Sequence, residues 1–158
     1  MSEPTRTETV TVPDGEFDLH VWLPERGAGP AMLLLQEIFG VGEYIKAVAG
    51  RLTDLGYVVG APDVFWRITR NWAAGHDEAG LAASMETVGK FDAQAGVGDC
   101  IAAYHRLGGL PEVAGGAGVM GFCLGGTLAW AVAARTDPDA VVSYYGSGVP
   151  GMAHLAPQ

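Results

Sequence analysis

The segment Gly121-Phe122-Cys123-Leu124-Gly125-Gly126 places a cysteine in the middle of a glycine-rich turn. A short apolar run precedes the segment and a helix-like run, 127–135, follows it, which predicts a strand, a tight turn and a helix. A turn of this kind with a reactive side chain at its apex is called a nucleophile elbow, and it lifts that side chain above the edge of an α/β sheet. The pattern therefore predicts acyl-transfer chemistry with Cys123 as the nucleophile.

The predicted helix would help Cys123 to react. The thiolate is the nucleophilic form of cysteine, and the N–H groups at a helix N-terminus favour that anion. The N–H of Leu124, directly after the cysteine, is placed to donate to the oxyanion that forms during attack.

Two alternatives stay open for the segment. Cys123 could be a buried structural cysteine, or, more weakly, the turn could bind phosphate, although it lacks the lysine and glycine spacing of such loops.

A second polar segment, Gln36-Glu37-Ile38-Phe39-Gly40, follows the apolar run 31–35. Loops that follow parallel strands lie at one edge of the sheet, so this segment is expected beside the elbow. The N–H of Ile38 is then a candidate second oxyanion donor, and Glu37 could hold or modulate Cys123. The alternative for Glu37 is a solvated loop glutamate.

Strand and helix patterns alternate along the rest of the chain. Alternating residues in 9–12 and 17–23 predict an antiparallel hairpin at the sheet edge, and an aromatic-rich loop is expected at 63–75. Continuous apolar runs predict strands covered on both faces at 31–35, 57–61, 118–120 and 140–145. Helical spacing is found at 44–55, 77–88, 92–106 and 127–135. We therefore predict one α/β domain with a mostly parallel sheet and helices on both faces.

Composition argues against several classes of function. The chain has 158 residues, a formal net charge of −9 and only nine Lys and Arg residues, which form no basic stripe, so no nucleic acid is expected as a partner. No run approaches the ~18 apolar residues of a membrane span, so no membrane partner is expected either. The polar, acidic N-terminus does not resemble a signal peptide. The lack of a signal-peptide pattern and the presence of only two cysteines indicate a reducing, cytoplasmic location.

No metal site is predicted. The chain has no Cys-x-x-Cys or His-Glu-x-x-His motif. The four histidines lie far apart in the sequence, at His20, His76, His105 and His154.

Several motifs, in this order and spacing, resemble those of the dienelactone hydrolase family. They are Gln36–Gly40, Ala61-Pro62-Asp63, Gly96-Val97-Gly98-Asp99, Gly121–Gly126 and Tyr144-Tyr145-Gly146, and the resemblance extends from about Thr9 to the end of the chain. It implies an α/β-hydrolase-like fold and a small-molecule lactone or ester substrate, opened through an acyl-cysteine without cofactor or metal. It also implies that Cys123 is the nucleophile, that Ile38 and Leu124 form the oxyanion hole, and that Glu37 interacts with the resting thiol and swings away when substrate binds.

The chain departs from the family at the substrate-binding residues. The founding enzymes hold a substrate carboxylate with an arginine and aromatic residues on the helix before Phe91. That segment here carries Leu81, Met85 and Val88. Arg67 or Arg70 could reach over the site instead, with a surface arginine as the alternative for each, and Tyr144 is a further candidate. Dienelactone itself is therefore not the expected substrate.

A second departure concerns the acid and the histidine that should follow an elbow nucleophile. Asp137 and Asp139 are expected at the opposite edge of the sheet, and His154 is interpreted as an ordinary loop histidine. We therefore expect an incomplete α/β-hydrolase domain that lacks the last strands and has little or no activity at this length. The strand at 140–145 is then an exposed edge that invites self-association.

The leading hypothesis is a cysteine-dependent lactone or ester hydrolase. The alternative is a non-catalytic small-molecule-binding module that retains the pocket but lacks the acid and the histidine. A thiol redox protein is a weaker hypothesis, because Cys123 has no nearby resolving cysteine and Cys100 falls on the core-facing side of a predicted helix.

Overall fold

One six-stranded sheet organises residues 2–156, which a computed structural model describes. The strands are β1 (Arg6–Val12), β2 (Gly15–Trp22), β3 (Gly29–Leu35), β4 (Val58–Pro62), β5 (Val113–Phe122) and β6 (Ala140–Tyr144). The helices are α1 (Glu43–Asp54), α2 (Glu78–Gly89), α3 (Ala93–Gly108) and α4 (Leu124–Ala133), and a 3₁₀ segment spans Val149–Leu155.

The strand order is β1-β2-β4-β3-β5-β6. β4, β3, β5 and β6 are parallel to one another, whereas β1 and β2 form an antiparallel hairpin, and β2 pairs antiparallel with β4. This confirms the predicted α/β class, with a mostly parallel sheet and a hairpin at its edge. Among the described strands β6 occupies the other edge, where 140–145 was expected.

The sheet has an apolar core on each face. Successive residues of β3 alternate between them: Leu33 and Leu35 belong to one buried cluster, and Met32 and Leu34 to the other. Helices α3 and α4 cover the first face, and α1 covers the second. Because both faces of β3 are covered, its sequence reads as a continuous apolar run with no alternation.

Helix α4 and strand β5 begin earlier than their sequence patterns indicated. Helix α4 begins at Leu124 and not at 127, because Gly125 and Gly126, which have low helix propensity, form its first turn. Strand β5 begins at Val113 and not at 118. Gly115 has a φ of +101°, and the pairing of β3 with β5 shifts register between Gly29 and Ala31, so this part of the strand lacks an apolar pattern.

No helix within residues 2–156 combines the length and the apolar character needed to cross a membrane.

Candidate active site

Cys123 lies between the last residue of β5 and the first residue of α4, with φ 57° and ψ −116°. A positive φ at a residue with a side chain is uncommon, and strained backbone of this kind is concentrated at functional sites. The backbone N–H of Cys123 donates to the carbonyl oxygen of Tyr144 at 3.0 Å, and its carbonyl oxygen accepts from the N–H of Thr127 at 3.1 Å. These bonds fasten the elbow between β6 and α4.

The glycines of the elbow are required by close backbone contacts. A Cβ atom on Gly121 would lie 1.9 Å from the carbonyl oxygen of Gly125, and one on Gly125 would lie 2.2 Å from the carbonyl oxygen of Leu35. A Cβ atom on Gly126 would lie 2.6 Å from the carbonyl oxygen of Tyr144. The first turn of α4 therefore packs directly against the ends of β3 and β6, and no larger residue fits at these positions.

Both candidate oxyanion donors lie at the same edge of the sheet as Cys123. Leu124 is the first residue of α4, so its N–H has no partner within the helix. Ile38 lies in the turn after β3, and its N–H donates to no backbone acceptor within residues 2–156. Pairing of Leu35 with Gly121 aligns the ends of β3 and β5, which brings the two segments side by side.

The carboxylate of Glu37 is paired with a histidine. Glu37 is buried, with 7% of its surface exposed, and its Oε1 lies 2.5 Å from Nε2 of His76. Within residues 2–156, no hydrogen bond joins Glu37 to Cys123. The interaction of Glu37 with the resting thiol therefore stays a prediction, and the hydrogen-bond partner that the structure gives the carboxylate is His76.

His76 is not among the site residues predicted from the sequence. The loop after β4 returns to the glutamate segment through an antiparallel bridge between Gly40 and Ala73, reinforced by the N–H of Ala74 donating to the carbonyl oxygen of Phe39 at 2.9 Å. The ring of His76 then lies against that of Phe39, with centroids 4.1 Å apart. A usable signal was the position of this loop, since a loop after a parallel strand lies at the same edge as the elbow.

Aromatic rings line the region around the elbow. Phe122, directly before the cysteine, stacks on Tyr144 with centroids 4.8 Å apart and planes 5° apart. Tyr44, from the first turn of α1, meets Phe122 edge-on at 5.5 Å. Tyr144, a candidate substrate contact from the sequence, thus lies at this edge with 45% of its surface exposed.

Tyr145 follows Tyr144 and lies near both the aromatic rings and the polar side chains of the site. Its φ is 39°, a left-handed backbone conformation that residues with a side chain rarely adopt. Burial raises the pKa of the Tyr145 hydroxyl, and the neighbouring Tyr44, Glu37 and Cys123 raise it further. These influences place the nucleophile candidate and the carboxylate in one neighbourhood.

Arg67 is committed to partners outside the elbow and glutamate segments. Its guanidinium donates to both carboxylate oxygens of Asp99 on α3 at 2.9 Å, and it also pairs with Asp14 in the turn between β1 and β2. It lies over the ring of Trp66, 4.4 Å from the centroid. With four hydrogen bonds to carboxylates, the guanidinium has little capacity left for a substrate.

Arg70 has a comparable position. It donates to the backbone carbonyl of Glu16 at 3.0 Å, and its guanidinium lies 5.3 Å from the ring centroid of Trp66. The structure therefore brings neither arginine to Cys123, and we do not carry Arg67 or Arg70 into the proposed site.

The role of Asp99 gives a prediction about stability. Asp99 is 2% exposed and accepts from Trp66 as well as Arg67. Replacing Asp99 by alanine leaves the guanidinium and the indole N–H without their buried acceptor, and should lower the free energy of unfolding by about 3 kcal/mol. Replacing Asp14, whose side chain is 64% exposed, should cost at most about 1 kcal/mol. Urea unfolding of the two variants measures the difference, and equal losses would contradict it.

The remaining polar candidates lie elsewhere. Asp139 accepts from the N–H of Ala117 at 2.7 Å, where β6 begins, at the opposite end of the strand from the elbow. His154 is exposed in the 3₁₀ segment. Cys100 is a free thiol in the core, and burial raises its pKa far above the ordinary range.

In the part of the chain that the structure describes, no group of three or more His, Cys, Asp or Glu side chains could hold a metal ion.

Comparison with known proteins identifies the family. The sequence profile of the dienelactone hydrolase family matches residues 17–158. The chain belongs to the dienelactone hydrolase family. It is 36% identical over 134 residues to a carboxymethylenebutenolidase of Pseudomonas putida, covering 84% of this chain and 57% of that protein. It is 33% identical over 148 residues to carboxymethylenebutenolidase 1 of Cupriavidus pinatubonensis, covering 90% of this chain and 62% of that protein.

Solved structures show the same fold. The dienelactone hydrolase of Anabaena variabilis superposes with a TM-score of 0.63 at 18% identity, over 90% of this chain and 62% of that one. A dienelactone hydrolase-like promiscuous phosphotriesterase from metagenomic libraries gives 0.65 at 24% identity, over 87% and 56%. This dienelactone hydrolase family member thus spans less than two thirds of the length of these relatives.

Proposed function

We propose that this chain hydrolyses a lactone or small ester through a cysteine nucleophile. The observation that carries the proposal is the backbone of Cys123, held at φ 57° at the N-terminus of α4. Strain at a residue with a side chain is retained where a reactive group must project from a sharp turn. Family membership supports the same class of reaction.

The proposed reaction proceeds through an acyl-cysteine. The thiolate of Cys123 attacks the carbonyl carbon, a C–S bond forms, and the carbonyl electrons move to oxygen. The N–H groups of Leu124 and Ile38 donate to that oxyanion. When this tetrahedral intermediate collapses, the ester C–O bond breaks. The leaving oxygen takes up a proton, which balances the proton that the thiol lost. Water then cleaves the thioester and releases the acid.

The surroundings of Cys123 favour a neutral, planar substrate. The side chains whose contacts define the site are Glu37, Phe39, Tyr44, His76, Phe122 and Tyr145. They offer aromatic faces for a flat ring and one carboxylate, but no arginine or lysine for a substrate carboxylate. The relatives are named carboxymethylenebutenolidases, which supports an unsaturated lactone, and the missing clamp argues for one without the carboxylate.

A second candidate is a non-catalytic module that binds such a ligand. The aromatic rings around the elbow would hold a flat ligand whether or not Cys123 reacts with it.

A panel of neutral lactones, carboxylate-bearing lactones and small aryl esters separates the two functions. Product formation and the melting temperature are followed for each compound. We expect the neutral lactones and aryl esters to be consumed faster than their carboxylate-bearing counterparts. A rise in melting temperature without consumption would support the binding module, and neither effect across the panel would contradict both.

A further inference from the structure

The contact between Glu37 and His76 has no counterpart in the reaction as proposed above. The Glu37 side chain is 10% exposed and that of His76 is 50% exposed, so a buried carboxylate meets a histidine that opens to solvent. The centroid of the imidazole lies 4.1 Å from that of the Phe39 ring and 6.1 Å from that of the Tyr44 ring. The two rings and the carboxylate contact fix the orientation of His76.

The local backbone also fixes the position of the histidine. His76 directly precedes Asp77, whose side chain caps α2 by accepting from the N–H of Gly80 at 2.7 Å. On the other side, the bridge between Gly40 and Ala73 ties the same loop to the glutamate segment. His76 is therefore held over Glu37 from both directions along the chain.

Glu37 has one basic partner among the described residues. The titratable groups around the pair are Tyr44 from α1, Tyr145 after β6, Cys123 at the elbow and Asp77 at the cap of α2. None of these carries a positive charge. A carboxylate close to a cysteine opposes formation of the thiolate unless another group compensates its charge.

We propose that His76 is a positioning residue that draws the Glu37 carboxylate away from Cys123. Together, His76 and Glu37 hold the proton that the thiol gives up. This inference rests on the proposed function and names the place to which Glu37 turns. The thiol S–H bond breaks, the proton comes to rest on the pair as Glu37 carboxylate and His76 imidazolium, and Cys123 is left as the thiolate. No net charge is created, because the imidazolium balances the new anion.

Alkylation of Cys123 by iodoacetamide, measured as a function of pH, tests the inference. Cys100 is 1% exposed, so the reaction of the native protein reports Cys123, with Cys123→Ala as the blank. His76→Phe keeps an aromatic ring against Phe39 and Tyr44 but removes the nitrogen. His76→Gln keeps a hydrogen-bond donor for Glu37 but cannot take up a proton.

We expect both variants to alkylate about three- to tenfold more slowly than the parent near pH 6.5, with their profiles displaced to higher pH. His105→Gln, which removes an exposed histidine on α3, should leave the profile unchanged. A parent-like profile in His76→Phe would overturn the inference. A parent-like profile in His76→Gln alone would overturn the proton-holding role, because a hydrogen bond without a charge would then suffice.

Circular dichroism and the melting temperature establish that each variant folds. If His76→Phe does not fold, His76→Gln and Glu37→Gln test the same pair, and a parent-like profile in both would overturn the inference. Alkylation needs no turnover, so the outcome is independent of the lactone panel. A displaced profile together with an inactive panel would uphold the pair and reject the hydrolase.

Discussion

Replacing Cys123 by alanine is expected to abolish hydrolysis of an activated aryl ester, lowering the weak kcat/KM expected of this chain at least about tenfold to the uncatalysed background, because the acyl-enzyme route is lost with the sulfur. The measurement is release of nitrophenolate at several enzyme concentrations. The burst that accompanies acylation should disappear together with the steady-state rate.

Cys100→Ala is the matched control for that loss. It removes the other cysteine of the chain, which is buried in the core and has no part in the proposed reaction. Its rate should stay near that of the parent. If Cys123→Ala kept the parent rate, the elbow would have to be interpreted as structural.

The second large effect is on folding. Replacing Gly125 by alanine would place a Cβ atom 2.2 Å from the carbonyl oxygen of Leu35 and 2.5 Å from that of Gln36. Both atoms belong to the backbone at the end of β3, so no flexible side chain can move aside. We expect the free energy of unfolding to fall by about 3 kcal/mol or more, as in strongly overpacked cores. Urea denaturation followed by circular dichroism measures it.

Gly98→Ala is the matched control on α3. Gly98 is exposed within the helix, and an added Cβ atom would meet nothing within 4 Å. The same substitution should therefore stabilise the protein by about 0.5–1 kcal/mol, since glycine is unfavourable inside a helix. Similar losses in the two variants would mean that the packing of Gly125 is not what limits its replacement.

Much of the fold follows from periodicity in the sequence. The continuous apolar runs at β3 and β4 and the helical spacing in α1 and α3 reflect burial directly, because each element hides a defined face. The start of α4 could not be placed in this way. Gly125 and Gly126 weaken a helix locally and are kept because β3 and β6 approach too closely for any side chain.

The candidate site was predictable only where its residues follow strands in the sequence. Cys123 and Glu37 occupy the ends of β5 and β3, and topology alone brings such positions together. His76 lies in an irregular loop, and its place depends on the bridge between Gly40 and Ala73 and on ring contacts that no periodic pattern encodes. For the same reason the ion pair of Arg67 with Asp99 escaped prediction: it joins a loop to a helix distant in sequence.

The proposed function requires that the substrate acylates Cys123. Intact-mass spectrometry and peptide mapping of the chain, after brief exposure to an activated small ester and an acid quench, measure this step. We expect one acyl group per chain, located on the peptide that contains Cys123 and missing from Cys123→Ala. An unmodified chain, or an adduct that persists in the alanine variant, would contradict it.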